Sequence, residues 1–406
     1  MKVLRSKRAN IEVVAPVKRG YRVRFDSSGK AVVPDEVADV LVAMGQGFYT
    51  VAIGNAKDAL TNARVLVVRD MGLGDVLLTT PLIRKLATDF AATVDVLTLE
   101  RYRCLFDGNP YVREVRALET DGSGERDAWD VVLDLRSIVE NAENAGLHRH
   151  RADAFCEFAD ITLTREDRRL DYYLTDKERT NDLVTGIRNA RETNPEQIAT
   201  VAYVVRSTTD NRNWSDAKHR QVIRALIAAG YGVILLDGAV LDFADLHAFW
   251  VEGRRAGRWP WGTFWNATGD LALRDVLAVL AACDACLAPD TGLFHAAGAL
   301  GVPTVCYFGA FPAEERHTHQ RLAVLNEPGN CSLLACRRYF CLNRGVDNQP
   351  RCLDVSPERI VGALDELLGT RRREPVDLEA AIPVPLRICV KTSIVSPVCA
   401  PCSESH

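Results

Sequence analysis

The sequence predicts an α/β protein made of two αβ halves with parallel sheets, and three stretches carry that expectation. Residues 64–90, RVLVVRDMGLGDVLLTTPLIRKLATDF, pass from an apolar run through a Gly-x-Gly turn into an amphipathic helix bearing Leu77, Leu78, Leu82, Ile83 and Leu86. Residues 206–238, RSTTDNRNWSDAKHRQVIRALIAAGYGVILLDG, give a hydroxyl-rich loop, a long helix, a glycine stop and a strand over Val233 to Leu236. Residues 287–309, LAPDTGLFHAAGALGVPTVCYFG, hold strand, tight turn, small-residue helix and next strand in 23 residues. Strands that alternate with helices in this way build parallel sheets.

The remaining elements follow in chain order. Residues 1–58 form a small β-rich module: strands at Ile11 to Val14 and Tyr21 to Phe25, a Ser27-Ser28-Gly29-Lys30 turn, and a helix from Pro34 to Met44. Its core is too small for a catalytic role, so docking to a protein partner or oligomerisation is expected of it. Residues 62–195 form the first αβ half, with further strands near Val94 to Leu99 and Val131 to Leu135. A polar helix over 175–196 ends at Asn194-Pro195, and Ile198 to Val205 starts the second half, 196–368. That half includes a helix over Leu271 to Leu280, a polar loop from Phe311 to His319, and a last helix from Pro357 to Leu368. Residues 247–265 concentrate four of the six tryptophans with Arg254, Arg255 and Arg258, a composition that stacks on a sugar or base or packs an irregular loop. Residues 369–406 read as a flexible tail containing proline and cysteine.

Composition narrows the classes. At 406 residues, 47% hydrophobic and 26% charged, the chain holds two or three globular domains. A net charge of −4 makes no global case for nucleic acid or an anionic membrane. No stretch approaches the roughly 18 apolar residues of a transmembrane helix. The N-terminus lacks an export segment, so the expected location is cytoplasmic, with peripheral contact at the inner membrane face left open. Of the twelve cysteines, Cys331, Cys336, Cys341 and Cys352 are spaced C-x4-C-x4-C-x10-C, unlike common C-x2-C zinc sites. They read as reduced structural cysteines or a local disulfide, with a metal cluster as the alternative.

The chemistry concentrates at three turns. At 287–309, Asp290 or Thr291 can cap the helix, and Gly292 lets a ligand approach backbone amides. A helix N-terminus offers unpaired N–H groups and positive potential, which suit a phosphate or diphosphate. His295 lies one turn into that helix and can face the same ligand. The plain alternative is an ordinary αβ turn. In the first half, Gly72 and Gly74 resemble part of a dinucleotide fingerprint, but position 77 is Leu where its third glycine belongs, which argues against an NAD enzyme. Asp75 starts the helix, where the dipole keeps a carboxylate ionised as a base. Alternatively it is a simple N-terminal helix acid. Thr208, Thr209 and Arg212 sit where one diphosphate could meet two hydroxyls and a guanidinium; otherwise they are exposed loop residues.

RVLVVRDMGLGDVLLTTPLIRKL and PDTGLFHAAGALGVPTVCYFG, in this order with TTDNRNW between them, resemble the paired signatures of family 9 glycosyltransferases, the ADP-heptose:lipopolysaccharide heptosyltransferases. The resemblance covers residues 62–368. It implies a GT-B fold, two Rossmann-like domains facing across a cleft, with nucleotide-sugar held by the C-terminal domain and acceptor by the N-terminal one. By motif position, Asp75 would be the general base of an inverting transfer. Thr208, Thr209 and Arg212 would hold the diphosphate, Arg212 standing where the family usually has Lys. Thr291 and Gly292 amides would stabilise the departing nucleoside diphosphate, and Asp290 and His295 would position sugar and phosphate. The resemblance implies no catalytic metal and no cofactor beyond the nucleotide-sugar itself, ADP-heptose, with a lipopolysaccharide core or other hydroxyl-bearing glycan as acceptor. The family often places a ribose-binding Glu after the strand that ends near Leu236. Here Asp237 or Asp242 would substitute. A non-catalytic nucleotide-sugar-binding module attached to a larger assembly through residues 1–58 is the competing expectation.

Overall fold

A computed structural model describes residues 59–118, 129–136, 148–256, 263–345 and 348–370, together with residues 138, 139 and 143 and short segments between 2 and 51. In the N-terminal module β1 (Lys2–Ser6) pairs antiparallel with β4 (Lys30–Val33) and β5 (Phe48–Val51), while β2 (Glu12–Ala15) and β3 (Tyr21–Arg24) form a hairpin. The predicted strands at 11–14 and 21–25 correspond to β2 and β3 within a residue. Of the expected 34–44 helix, Val37, Ala38, Val40 and Leu41 are helical, and the rest lies outside the described residues.

The first parallel sheet contains β6 (Arg64–Val68), β7 (Thr93–Thr98), β8 (Glu114–Ala117) and β9 (Val131–Asp134), in the order β8-β7-β6-β9. The second contains β10 (Thr200–Val204), β11 (Gly232–Leu236), β12 (Phe264–Asn266), β13 (Ala285–Pro289), β14 (Thr304–Tyr307) and β15 (Leu322–Leu325), in the order β12-β11-β10-β13-β14-β15. Both orders run outward from their first strand and then reverse to its other side. The reversals fall between β6 and β9 and between β10 and β13, and ligands of open α/β sheets bind outside the strand C-termini at such points.

The helices are α1 (Leu73–Leu77), α2 (Thr80–Asp89), α3 (Arg151–Glu157), α4 (Asp176–Arg179), α5 (Asp182–Glu192), α6 (Asp216–Ala229), α7 (Ala244–Arg255), α8 (Leu273–Ala282), α9 (Gly292–Ala299) and α10 (Pro357–Leu368). Their ends follow local chemistry. Ser215 accepts from the Lys218 N–H at the start of α6, and Gly230 ends that helix in the left-handed region at φ 98°. Ser356, Pro357 and Gly369 bound α10 in the same manner. The polar 175–196 segment forms two helices, because Thr175 caps α4 and Asn181 caps α5. Both pack on α8 of the second sheet. Central strands such as β10, β11 and β13 are buried along their whole length, as helices cover both faces of the sheet.

The tryptophan-rich stretch is divided. Trp250, Arg254 and Arg255 lie on α7, with the Arg254 guanidinium over the Trp250 ring, and Trp265 lies on the edge strand β12; Arg258, Trp259 and Trp261 lie outside the described residues. Cys389, Cys399 and Cys402 also lie outside them. No described helix is long and apolar enough to cross a membrane.

Candidate active site at the two strand-order reversals

The turn after β6 leads into α1 and the turn after β13 into α9, and the two helix starts abut. A Cβ on Gly74 would lie 2.4 Å from Cδ2 of His295, and one on Gly292 would lie 2.9 Å from the Leu73 Cβ. Hydrogen at both positions is what lets the helices approach. Gly72 has open space around it. Thr291 occupies the N-cap position of α9, yet its side chain makes no capping hydrogen bond, which corrects the expectation that Asp290 or Thr291 would cap it. The Asp290 carboxylate points instead toward Arg212, 3.4 Å away.

Asp75 is largely buried, its side chain 16% exposed. Arg151 Nη1 donates to its Oδ1 at 2.7 Å, and Arg69 Nη2 lies 3.5 Å from the same oxygen. Burial alone would raise the pKa of this carboxyl. The guanidiniums of Arg151, Arg69 and Arg316, with His295, outweigh burial and hold it below the usual carboxylate range. Arg151 opens α3, whose N-cap His150 accepts from the Ala152 N–H through Nδ1, so Nε2 carries the proton and donates to the His317 carbonyl at 3.0 Å.

The loop after β10 is closed on itself. Ser207 N donates to Asn213 Oδ1 at 2.6 Å, and Asn213 Nδ2 donates back to the Ser207 carbonyl at 2.9 Å. Trp214 anchors the loop, stacking on Tyr307 at 3.7 Å between centroids and donating Nε1 to the Leu353 carbonyl. Arg212 Nη1 then reaches the Asp290 carbonyl at 3.1 Å. Thr209 is half-buried with Oγ1 unpartnered, while Thr208 is exposed. Asp290 is 3% exposed, and its pKa too is lowered, because Arg212, Arg316, His295 and Arg151 together exceed the effect of burial. His295, 5% exposed, is pushed down to about 4 by burial and is therefore a neutral imidazole at neutral pH.

Asp237 stands one strand further out, at the end of β11. Arg206 pairs with it at 3.1 Å, and its Oδ1 accepts from the Ala239 N–H. Asp242 Oδ1 accepts from Ala244 N at the start of α7. The structure thus brings Gly74, Asp75, Arg212, Asp290, Thr291, Gly292 and His295 into one site, with Thr208 and Thr209 on its rim and Asp237 beside it.

Two cations at the centre escaped the sequence reading. Arg151 is 76 positions from Asp75 and lies outside either glycine-rich turn. Arg316 belongs to the 311–319 segment, which is no exposed polar loop: Phe311, Arg316 and His319 are all buried. His319 stacks on Phe294 and touches Gly298, where a Cβ would come within 2.9 Å of the ring. A glycine in the last turn of α9, opposite a histidine-rich segment, was the available signal.

The cysteine-rich loop flanks the site. Ala335 N donates to the Gly309 carbonyl and Arg337 N to the Ala310 carbonyl, and Tyr339 lies with its ring 5.7 Å from that of Phe311. Burial and the thiols of Cys331, Cys341 and Cys336 push Cys352 up to about 12. The four cysteines therefore share one neighbourhood as free thiols. Among the described residues, no three His, Cys, Asp or Glu side chains converge as a metal-holding group.

Residues 151–345 match the model of glycosyltransferase family 9 (heptosyltransferase). Over this segment the chain is similar to that family. Lipopolysaccharide heptosyltransferase 1 of Pseudomonas aeruginosa is 29% identical over 176 residues, 40% of this chain and 46% of that protein, so the chain spans about half the length of the curated relative it matches. The glycosyl transferase family 9 structure from Veillonella parvula DSM 2008 superposes with a TM-score of 0.56 at 19% identity, over 76% of this chain and 98% of that one. TibC of enterotoxigenic E. coli H10407, a dodecameric iron-containing heptosyltransferase solved with ADP-D-beta-D-heptose, superposes with a TM-score of 0.55 at 13% identity, over 79% of this chain and 78% of its own. The fold is GT-B, as the paired motifs implied. The family 9 match begins at Arg151 and so includes the residues around α9 and the 206–215 loop, whereas Asp75 and α1 precede it.

Proposed function

We propose that the chain is an inverting glycosyltransferase that moves a heptose from ADP-heptose to an acceptor hydroxyl on a glycan such as a lipopolysaccharide core, with Asp75 as general base. The observation that carries this reading is the contact of α1 with α9, which sets Asp75 and the uncapped α9 N-terminus on the two walls of one site. The residues 62–195 then serve the acceptor and 196–368 the donor. The heptose and its nucleotide rest on the likeness to heptosyltransferases.

In the proposed reaction the donor diphosphate lies against the amides of Thr291 and Gly292, with Arg212 and the hydroxyls of Thr208 and Thr209 around it. Asp237 would face the ribose. His295, neutral, offers a hydrogen bond to phosphate or sugar without adding charge. An acceptor oxygen forms a bond to the anomeric carbon as the bond from that carbon to the diphosphate oxygen breaks. Its proton passes to the Asp75 carboxylate and the electron pair leaves with the nucleoside diphosphate, so the configuration inverts. The depressed pKa of Asp75 keeps it ionised at every working pH but makes it a weak base. Its contribution is therefore placement and timing as the oxygen acidifies during attack. TibC contains iron; the four thiols of the present chain are chemically suited to a metal but would have to draw together from this arrangement to hold one, and no step here passes through it.

Replacing Asp75 with Asn tests the reading: transfer from ADP-heptose should stop while ADP binding persists. A second reading is favoured by the double guanidinium contact to Asp75 Oδ1, which also suits a structural ion pair in a binding-only protein. Turnover by the native chain, against stoichiometric binding alone, separates the two.

A further inference from the structure

Arg316 is a buried cation to which the proposed reaction gives no part. It is 3% exposed, its Nη2 makes no hydrogen bond, and its nearest carboxylate oxygen is Glu143 Oε1 at 3.8 Å. Its guanidinium lies 4.1 Å from the centroid of the Phe311 ring, and that of Arg212 lies 5.0 Å from the same centroid. One phenyl ring therefore bears on both guanidiniums, and its π electrons offset part of the repulsion between them. Arg151 adds a third positive group from across the site, and burial together with Arg151 and Arg212 pushes Arg316 down to about 10. Glu315, the adjacent acid, is engaged by Arg337.

The unsatisfied groups nearby are mostly donors: Arg316 Nη2, Arg212 Nε and Thr209 Oγ1 are all buried without hydrogen-bond partners. Buried polar groups are ordinarily paired, and buried charges more so. Arg69, Arg151, Arg212 and Arg316 face the three carboxylates of Asp75, Glu143 and Asp290, so the patch stays positive by one charge. A dianion bearing several acceptor oxygens answers both the charge and the unused donors.

We propose that Arg316 binds the donor's sugar-proximal phosphate, with Arg212 on the other phosphate and Phe311 packed against both cations. This rests on the nucleotide-sugar reading above. Arg316 stands between Arg212 and Glu143 of the acceptor-side half, the position from which it meets the oxygen that gains charge when the anomeric bond breaks. It touches the leaving group and belongs to the catalytic set, taking part of the role a divalent cation fills elsewhere. Its Nη2, buried without a hydrogen bond, is a donor left free for that oxygen.

The test measures ADP, AMP and inorganic pyrophosphate binding to the full chain by calorimetry, beside thermal melting without ligand. Arg316→Gln should weaken ADP and pyrophosphate by about 30-fold, the range for one lost charged hydrogen bond, with a much smaller change for AMP. Its unliganded melting midpoint should stay close to that of the native chain, since relief of the repulsion from Arg151 and Arg212 offsets the lost attraction to Asp290 and Glu143. Arg316→Lys should regain part of the affinity. Equal ADP affinity in Arg316→Gln and the native chain overturns the inference, as does a marked fall in melting midpoint, which would make the residue structural. A native chain that binds pyrophosphate but no nucleoside diphosphate, with the loss still seen in Arg316→Gln, keeps the anion site and discards the nucleotide-sugar reading. No binding of any phosphate by the native chain overturns both.

Discussion

The imidazole of His295 occupies the space a Cβ on Gly74 would need, with Cδ2 only 2.4 Å from that position. These residues begin helices in different sheets, so the fit between them sets the distance from Asp75 to the donor-side turn. Gly74→Ala should force α1 and α9 apart. Overpacking of this kind costs about 1–3 kcal/mol, to be read by urea denaturation, and turnover should fall further than stability explains because the base is displaced from the donor.

Asp75→Asn retains shape and removes the proton acceptor. Loss of general-base catalysis should lower kcat by about 100- to 10,000-fold, while ADP affinity measured by calorimetry stays within about twofold of the native value, since the lost charge is not a donor ligand. Retained turnover would remove Asp75 from the mechanism.

Acid should unfold the protein earlier than its carboxylates dictate. His150 and His295 are pushed down to about 4, and His219 and His319 to about 3, in each case chiefly by burial. A folded pKa below the unfolded value of 6.5 means the unfolded chain binds more protons between the two. Stability is thus full above pH 6.5 and declines as pH falls toward 4, each histidine contributing about 1.4 kcal/mol per pH unit in that window. Asp75 and Asp290, also depressed, add their loss only below about 3.8. Denaturation at pH 7.5, 6 and 5 should show the fall beginning near 6.5. A flat profile down to pH 5 would contradict the buried neutral imidazoles.

Trp214→Ala removes the stack on Tyr307 and the hydrogen bond to the Leu353 carbonyl. A cost of about 3–5 kcal/mol is expected for a buried aromatic, measured by thermal or urea unfolding. ADP affinity should fall as well, because Trp214 fixes the loop that presents Arg212.

Much of the architecture was legible because it is written locally. The Pro357–Leu368 helix carries its own cap, first-turn proline and glycine stop, and β6, β10 and β13 announce themselves as apolar runs that stop at polar or glycine-bearing turns. The glycine-rich turns at 72–75 and 290–292 could be found for the same reason. What escaped was set by packing. Arg151 and Arg316 have no local signature, and the segment from Phe311 to His319 looks polar in sequence because its burial comes from distant contacts, such as that of His319 with Phe294 and Gly298 of α9. Thr291 likewise sits where a cap belongs, but the approach of α1 governs that end of the helix.

His150 and Arg151 are neighbours in the chain that grip different things: the first holds the backbone of His317, the second the carboxylate of Asp75. Because the cap of α3 fixes the backbone between them, the 311–319 segment and the base are coupled through a single peptide unit. Any displacement of that segment, including one made as Arg316 engages an anion, tugs on the ion pair that restrains the carboxylate. Charge arriving on one wall of the site is thereby felt mechanically on the other.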